Sequence, residues 1–328
     1  MPRCAVVFNP IKVSPTFHET LQSRLTEDGW LDTIWLETTE DDPGHTMTAE
    51  ALDQGVNLVI GAGGDGTGRV VAHELANSGI PMGIVASGTA NLLARNLELP
   101  LREAEAIDVA LGQHLRTIDL IRLTVDNHEP EHFAVMAGIG MDAVIMDEVD
   151  PSLKAKIGSA AYFLTVGKAL GRLPMRLNIR VDGHHRHRRR AMICVIGNVG
   201  VLPGNITLMP DAQPDDGLLD VYLASPHRLS HWIRLFVRLL LRRGHAEDQV
   251  DLWRGKRVDV LLAESDNYQL DGDVAGTCRR LVAEIAPRAL QVCVRRTAET
   301  AGASTAEGEE KAGPIRVPAQ PHPEGEDS

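Results

Sequence analysis

Val56-Asn57-Leu58-Val59-Ile60-Gly61-Ala62-Gly63-Gly64-Asp65-Gly66-Thr67 is the stretch on which the fold turns. Val56–Ile60 has the apolar, β-branched character of a buried strand, Gly61–Thr67 breaks it, and Arg69–Asn77 carries a helix-like pattern. The same alternation extends both ways. Upstream, Ala5–Phe8 reads as a strand, Phe17–Leu25 as a helix, Thr33–Leu36 as a strand and His45–Gln54 as a helix. Downstream, Met82–Val85 is strand-like and Leu101–Leu111 helix-like. Strands separated by single helices predict a parallel sheet with right-handed crossovers. Ligands bind such sheets at the carboxyl ends of their strands. Two glycine-bearing segments, Gly61–Thr67 and Ser87–Asn91, fall at those ends.

Gly61-Ala62-Gly63-Gly64-Asp65-Gly66 satisfies G-x-G-x-x-G, a weak signal by itself. It follows the third strand rather than the first. The acid that would hold a ribose some 20 residues on is missing, because the chain there reads Val85-Ala86-Ser87. A dehydrogenase is therefore disfavoured, and the absence of G-x-x-x-x-G-K-[ST] excludes a P-loop NTPase. Gly63, Gly64 and Gly66 let backbone amides converge on an anion, and Thr67 is placed to cap the following helix. Asp65 inside a phosphate nest makes electrostatic sense when a divalent cation lies between them. The plain alternative is a tight turn in which Asp65 bonds its own backbone. Ser87-Gly88-Thr89-Ala90-Asn91 adds hydroxyls and an amide on the same edge, suited to phosphates and ribose.

Beyond about residue 115 the texture changes. Ile118–Val125, His132–Ala137, Arg176–Val181, Ala191–Ile196, Leu218–Leu223 and Arg257–Leu262 are strand-like. Turn signals separate them: Asp182-Gly183, Pro203-Gly204, Asp216-Gly217 and Asp271-Gly272. A mostly antiparallel second domain follows, with inserted helices near Leu153–Leu170 and Leu229–Arg243. The expected division is 1–117 for an α/β domain and 118–297 for a β domain whose last strand is free to return to the first. The stretch 298–328 reads as a disordered acidic tail. That tail accounts for much of the charge, since 301–328 alone holds four of the twelve net negative charges.

The 328 residues suit two domains, and 43% apolar with 24% charged residues is ordinary globular composition. A net charge of −12 argues against a nucleic-acid coat. No apolar run approaches the ~18 residues of a membrane span. Met1-Pro2-Arg3-Cys4 runs directly into a strand, so no signal peptide is expected. Cys4, Cys194, Cys278 and Cys293 have no metal-ligand or C-x-x-C spacing, which predicts reduced thiols and a cytoplasmic chain.

Gly63–Thr67 after an apolar strand, Gly88-Thr89-Ala90-Asn91 further on, and Asp216-Gly217-Leu218-Leu219-Asp220-Val221 together resemble the bacterial lipid kinases with a diacylglycerol kinase catalytic domain. Asn9-Pro10 and Leu270-Asp271-Gly272-Asp273 complete the pattern, which covers roughly residues 3–296. The wider superfamily includes sphingosine, NAD and 6-phosphofructo-kinases. The resemblance implies a Rossmann-like nucleotide domain, a β-sandwich-like second domain and an active site in the cleft between them. It implies that Asn9, Lys12 and Thr39 meet the nucleotide, with Thr38 an alternative to Thr39. It likewise assigns Gly63, Gly64, Asp65, Gly66, Thr67, Gly88, Thr89 and Asn91 to nucleotide and phosphate contacts. Asp271 becomes the general base for the lipid hydroxyl, and Asp216 with the carbonyls of Gln213 and Leu218 a structural Mg²⁺ site. ATP is the implied donor and Mg²⁺ the cofactor. This chain departs from the pattern in having Gly68-Arg69 where Asn-Glu is usual, Ser87 for an apolar residue, Ala90 for glycine and Asp273 for glutamate.

On local chemistry alone Asp271-Gly272 is more often a hairpin turn; the resemblance reverses that reading. Leu229–Gly244 places Arg234, Arg238 and Arg242 on one stripe, with Trp232, Leu235, Phe236, Leu239 and Leu240 around the rest. Such a helix suits an anionic bilayer surface or, equally, packing on its own sheet. His184-His185-Arg186-His187-Arg188-Arg189-Arg190 suggests a metal site, but its arginines would repel a cation, so a solvated hairpin is favoured, one also able to attract anionic headgroups or nucleotide phosphate. The expectation is an ATP- and Mg²⁺-dependent lipid kinase acting on diacylglycerol or a relative, peripheral on the inner face of a membrane and compatible with a homodimer. The rivals are a kinase for a soluble acceptor such as NAD, and a non-catalytic nucleotide-binding regulator.

Overall fold

The computed structural model describes residues 2–140, 173–184, 186–202, 206–226, 231 and 250–296. The two inserted helices (apart from His231), Pro203-Gly204 and the acidic tail lie outside these residues.

Four short strands build the parallel part: β1 (Arg3–Phe8), β2 (Asp32–Glu37), β3 (Leu58–Gly63) and β4 (Met82–Ala86), in the order β4-β3-β1-β2. β3 is buried along its whole length and β1 along all but its first residue, the mark of strands covered on both faces. β2, at the edge, is only half-buried. One face is covered by α1 (Phe17–Glu27), which buries Phe17, Leu21 and Leu25 at four-residue spacing, and by α5 (Glu103–Ala110). The other is covered by α2 (His45–Asp53), α3 (Asp65–Glu74) and α4 (Leu92–Asn96).

The rest is antiparallel: β5 (Leu115–Val125), β6 (Glu131–Phe133), β7 (Met136–Gly140), β8 (Met175–Val181), β9 (His187–Ala191), β10 (Ile193–Gly197), β11 (Val201–Leu202), β12 (Ile206–Thr207), β13 (Leu219–Ala224), β14 (Val250–Gly255), β15 (Arg257–Leu270) and β16 (Asp273–Cys293). β16 follows β15, then β5, and ends beside β4, where Val292 pairs in parallel with Met82. One sheet thus runs through both halves. A second core of alternate residues, among them Leu123, Ile179, Val221, Val260 and Leu281, fills the antiparallel half.

Three local readings change. The helix expected at Arg69–Asn77 begins at Asp65, because Gly64 is extended (φ −84°, ψ −171°) and serves as its N-cap. Thr67 therefore lies buried in the first turn rather than capping it. His132–Ala137 is two strands, β6 and β7. The expected last strand is β16, whose full length has no sequence signal because its first half is largely exposed and Gly276 and Pro287 lie within it. Among the described residues no helix is long and apolar enough to cross a membrane.

Candidate active site

The strands of the parallel part end at one edge, and the predicted nucleotide residues sit there. Asn9 follows β1; its amide donates to Ala62 O (2.8 Å) and its Oδ1 accepts from Ile11 N (3.0 Å). Lys12 lies exposed in the turn so formed. After β2, Thr39 is exposed and its Oγ1 accepts from Asp42 N (3.0 Å), whereas Thr38 is buried with its hydroxyl unpartnered. An orphaned hydroxyl beside Asn9 makes Thr38 at least the equal of Thr39 as a ligand contact.

The two glycine segments touch. A Cβ at Gly88 would stand 2.8 Å from Gly64 Cα and 2.8 Å from Asn91 Oδ1, so only a side chain of hydrogen fits. Asn91, at φ 49°, closes the second loop on itself: Oδ1 accepts from Gly88 N (2.8 Å) and Nδ2 donates to Gly88 O (2.9 Å). Asp65 clamps the loops together, accepting from Asn91 N (2.9 Å) and Leu92 N (2.6 Å). It bonds the second loop's amides. Thr89 is exposed at the loop's tip.

From the other half, Asp271 enters the same cavity, whose lining includes Gly63, Gly64, Asp65, Arg69, Asn91 and Val135. Its side chain is 3% exposed, and Oδ1 accepts from Val135 N (3.2 Å) and Met136 N (2.9 Å). Burial pushes the carboxyl up to about 7, against the opposing pull of the Met136 amide and Arg69, and the charge of Asp65 adds to the rise. Gln269, itself buried, accepts from Gly272 N (2.7 Å) and pins the turn. Asp273 lies on the other side of that turn. Its Oδ2 would be 3.0 Å from a Cβ at Gly66, so the glycine loop and the β15–β16 turn are in close approach. Asp65 is also held above its ordinary value, chiefly by burial and further by the charge of Asp273, despite the amides it accepts.

Asp65, Asp271 and Asp273 bring carboxylate oxygens, the donors Mg²⁺ takes, to one glycine-rich turn, but both Asp65 oxygens accept backbone amides and the three do not form a close ligand cluster. The Asp216 loop is different. Asp216 Oδ1 accepts from Leu218 N (3.0 Å), and its other oxygen is ion-paired with Arg254, which also reaches Asp220 Oδ1 (3.1 Å). A guanidinium already supplies the counter-charge at Asp216, so the carboxylate expected to hold a structural Mg²⁺ with Gln213 and Leu218 does not fit that role as folded. The loop is anchored by Asp119, which accepts from Gly217 N (2.7 Å) and, across the sheet, from Arg288 N (2.7 Å).

Two residues went unassigned in the sequence. Asp119 has no motif and was passed over inside a strand. Arg69 registered only as a departure, because the helix was started there. With α3 starting at Asp65, Arg69 is one turn on and shares its face. Its Nη1 donates to Glu131 Oε2 (3.0 Å), while its buried Nε has no partner. Among the described residues the one close grouping with metal-ligand chemistry is His45, His73 and Glu74. His45 Nδ1 is 2.8 Å from Glu74 Oε1, and His73 Nδ1 accepts from His132 N (2.9 Å). That bond puts the proton of a neutral His73 on Nε2, which removes the lone pair a metal would need there. It is a hydrogen-bonded cluster.

A profile described as the diacylglycerol kinase catalytic domain matches residues 3–123. One described as the YegS C-terminal NAD kinase beta sandwich-like domain matches residues 134–294. A diacylglycerol kinase of Mycobacterium tuberculosis is 32% identical over 256 residues, covering 76% of this chain and 81% of that protein. A Bacillus subtilis diacylglycerol kinase is 27% identical, covering 84% and 91%. A probable lipid kinase YegS-like protein of Xanthomonas euvesicatoria is 35% identical over 56% of this chain and 61% of its own. In fold, a crystal structure of a diacylglycerol kinase from Bacillus anthracis superposes with a TM-score of 0.66 at 20% identity, covering 89% of this chain and 97% of that one. With a parallel half and an antiparallel half meeting at Asp271, and with relatives matched along most of both chains, this protein belongs to the diacylglycerol kinase family of lipid kinases, which are phosphotransferases.

Proposed function

We propose that the protein transfers the γ-phosphoryl group of ATP, with Mg²⁺, to the hydroxyl of a lipid, diacylglycerol or a related one, and that Asp271 is the general base. The observation that carries this reading is Asp271 itself. It is a buried carboxyl with its proton affinity raised to about 7, one oxygen fixed by two amides, in a cavity shared with Gly63, Gly64 and Asp65. A base of that strength accepts a hydroxyl proton near neutral pH.

The other residues follow from phosphoryl transfer, which needs position and charge compensation more than covalent chemistry. Backbone amides of Gly63–Thr67 and Gly88–Asn91 cradle the phosphates. Asn9, Lys12 and Thr38 or Thr39 hold the nucleotide along the same edge. Asp65 and Asp273 would hold the Mg²⁺, which when bound offsets the charge of the phosphates. Arg69, with a free buried Nε, faces the charge that spreads over the transferring group and restrains the rise in Asp271. The lipid is the acceptor and the bilayer its source.

The test is a transfer assay with labelled ATP and Mg²⁺ across diacylglycerol, monoacylglycerol, sphingosine and NAD. Labelled lipid is expected. Transfer to NAD with none to any lipid would give the case to the soluble-acceptor reading, and nucleotide binding with no transfer at all to a regulatory one.

A further inference from the structure

The run Arg186 to Arg190, read from sequence as a solvated hairpin, is divided by the structure into two chemically different faces. Side chains alternate along β9. His187 and Arg189 point inward: His187 stacks on Trp253 with ring centroids 5.9 Å apart, and Arg189 pairs with Asp251 at 2.8 Å. Arg188 and Arg190 point the other way and are exposed. Their register partners on β8 are Asn178 and Arg176, which therefore share that outward face, as does Arg180 two residues further along. Leu177 and Ile179 occupy the opposite, core face.

Arg176 stands directly opposite Arg190. Like charges at such a position destabilise a sheet, so the arrangement is a cost to the fold unless something anionic is bound there. Among the described residues no carboxylate is paired with Arg176, Arg188 or Arg190, although Arg180 stands opposite Asp259. Asp259, on the neighbouring β15, is paired with Arg280 at 2.8 Å, and Glu284 is paired with Arg257 and Arg122. Arg180 and Arg186 open onto a common cleft beside Gly183 and His184. Leu173, 87% exposed, sits just ahead of β8 and adds an apolar group at the rim.

We propose that this face of the β8–β9 hairpin, carrying Arg176, Arg180, Arg186, Arg188 and Arg190, docks the protein on an anionic phospholipid bilayer. The proposal rests on the lipid-kinase reading, which requires the protein to visit a bilayer. Three considerations select that occupant. A free phosphate or nucleotide needs a few guanidiniums in a pocket, whereas these spread over two strands, about 14 Å along β8 from Arg176 to Arg180. A second copy of the chain would bring the same cationic face against itself. A chain with net charge −12 is repelled by any polyanion except through a local basic surface, and a broad one beside an exposed leucine suits headgroups above acyl chains.

The experiment uses the full chain and vesicles of phosphatidylcholine with and without phosphatidylglycerol. The wild type should sediment with the anionic vesicles only, and 0.5 M NaCl should release it. The triple variant Arg176→Gln, Arg188→Gln, Arg190→Gln should bind about 100-fold more weakly. Arg176→Lys, Arg188→Lys, Arg190→Lys should bind as the wild type does. Both variants should phosphorylate a short-chain diacylglycerol in neutral detergent micelles at the wild-type rate, which also shows that they fold. Undiminished vesicle binding by the glutamine variant would overturn the docking face, as would a wild type that ignores anionic vesicles. A wild type that binds these vesicles and phosphorylates no lipid in any form would instead contradict the lipid-kinase reading.

Discussion

At φ 48° Asp271 occupies the left-handed region between β15 and β16 and is followed by Gly272 at φ 99°, the geometry of a two-residue hairpin. Turn and proposed base are therefore one feature: the hairpin delivers a carboxyl into a buried cavity, and two amides of the β6–β7 segment hold it. The rise to about 7 has a stability consequence whose sign is fixed. The fold favours the protonated carboxyl, so this residue's contribution is intact at acid pH and is lost as pH climbs from the ordinary carboxylate range through about 7. Asp271→Asn stays neutral and keeps the two amide bonds. It should be the more stable protein at pH 8, by up to about 4 kcal/mol, and gain nothing at pH 4; thermal melts at the two values check it. Arg69 acts on the same group from α3. Arg69→Gln should lower kcat about 10- to 100-fold, leave the KM for the lipid largely unchanged, and move the acidic limb of the pH–rate profile upward. An unshifted limb would mean that Arg69 only packs against Glu131.

At the scale of elements, the site depends on two loops that could not approach each other if either carried a side chain at the contact. Gly88→Ala would place a methyl 2.8 Å from Gly64 Cα and from Asn91 Oδ1. It should part the loops, raise the KM for ATP at least 10-fold and destabilise the fold by about 1–3 kcal/mol, read by nucleotide titration and denaturant melts. This pair of segments was legible in the sequence because glycines between a strand and a helix have few other uses. The way they are joined was not. Asp65 holds the second loop through amides 26 and 27 residues away, and no local pattern announces such a contact. Starting α3 at Arg69 hid the alignment of that residue with Asp65, since Gly64 and Gly66 carry no helical periodicity. The parallel strands were visible as apolar runs. Of β16 a last strand was expected but not its length, because half of it faces solvent and Pro287-Arg288 interrupts it, Arg288 sitting at φ 55° in a register shift.

Over the whole molecule, one sheet joins the parallel half to the antiparallel half, and β16 is the joint: it pairs with β15, β5 and β4 in turn. Asp119 on β5 ties the irregular part of β16 to the loop at Gly217, taking both amides while 1% exposed. Asp119→Ala would leave two donors unpaired and should cost about 2–5 kcal/mol, seen as a lowered urea midpoint, without changing nucleotide affinity at temperatures where the protein stays folded. The net charge of −12 has little bearing on function once it is resolved in space. Acidic groups gather at the cavity and the tail, and arginines on the β8–β9 face. The central claim, that the two halves meet at Asp271 to move a phosphoryl group, comes down to one comparison. Labelled phosphate transfer from ATP to diacylglycerol is measured for the wild type and Asp271→Asn, with ATP affinity determined in parallel. Transfer should fall by at least about 10³-fold with ATP affinity unchanged; turnover at the wild-type rate in the variant would remove Asp271 as the base and with it the account of the site.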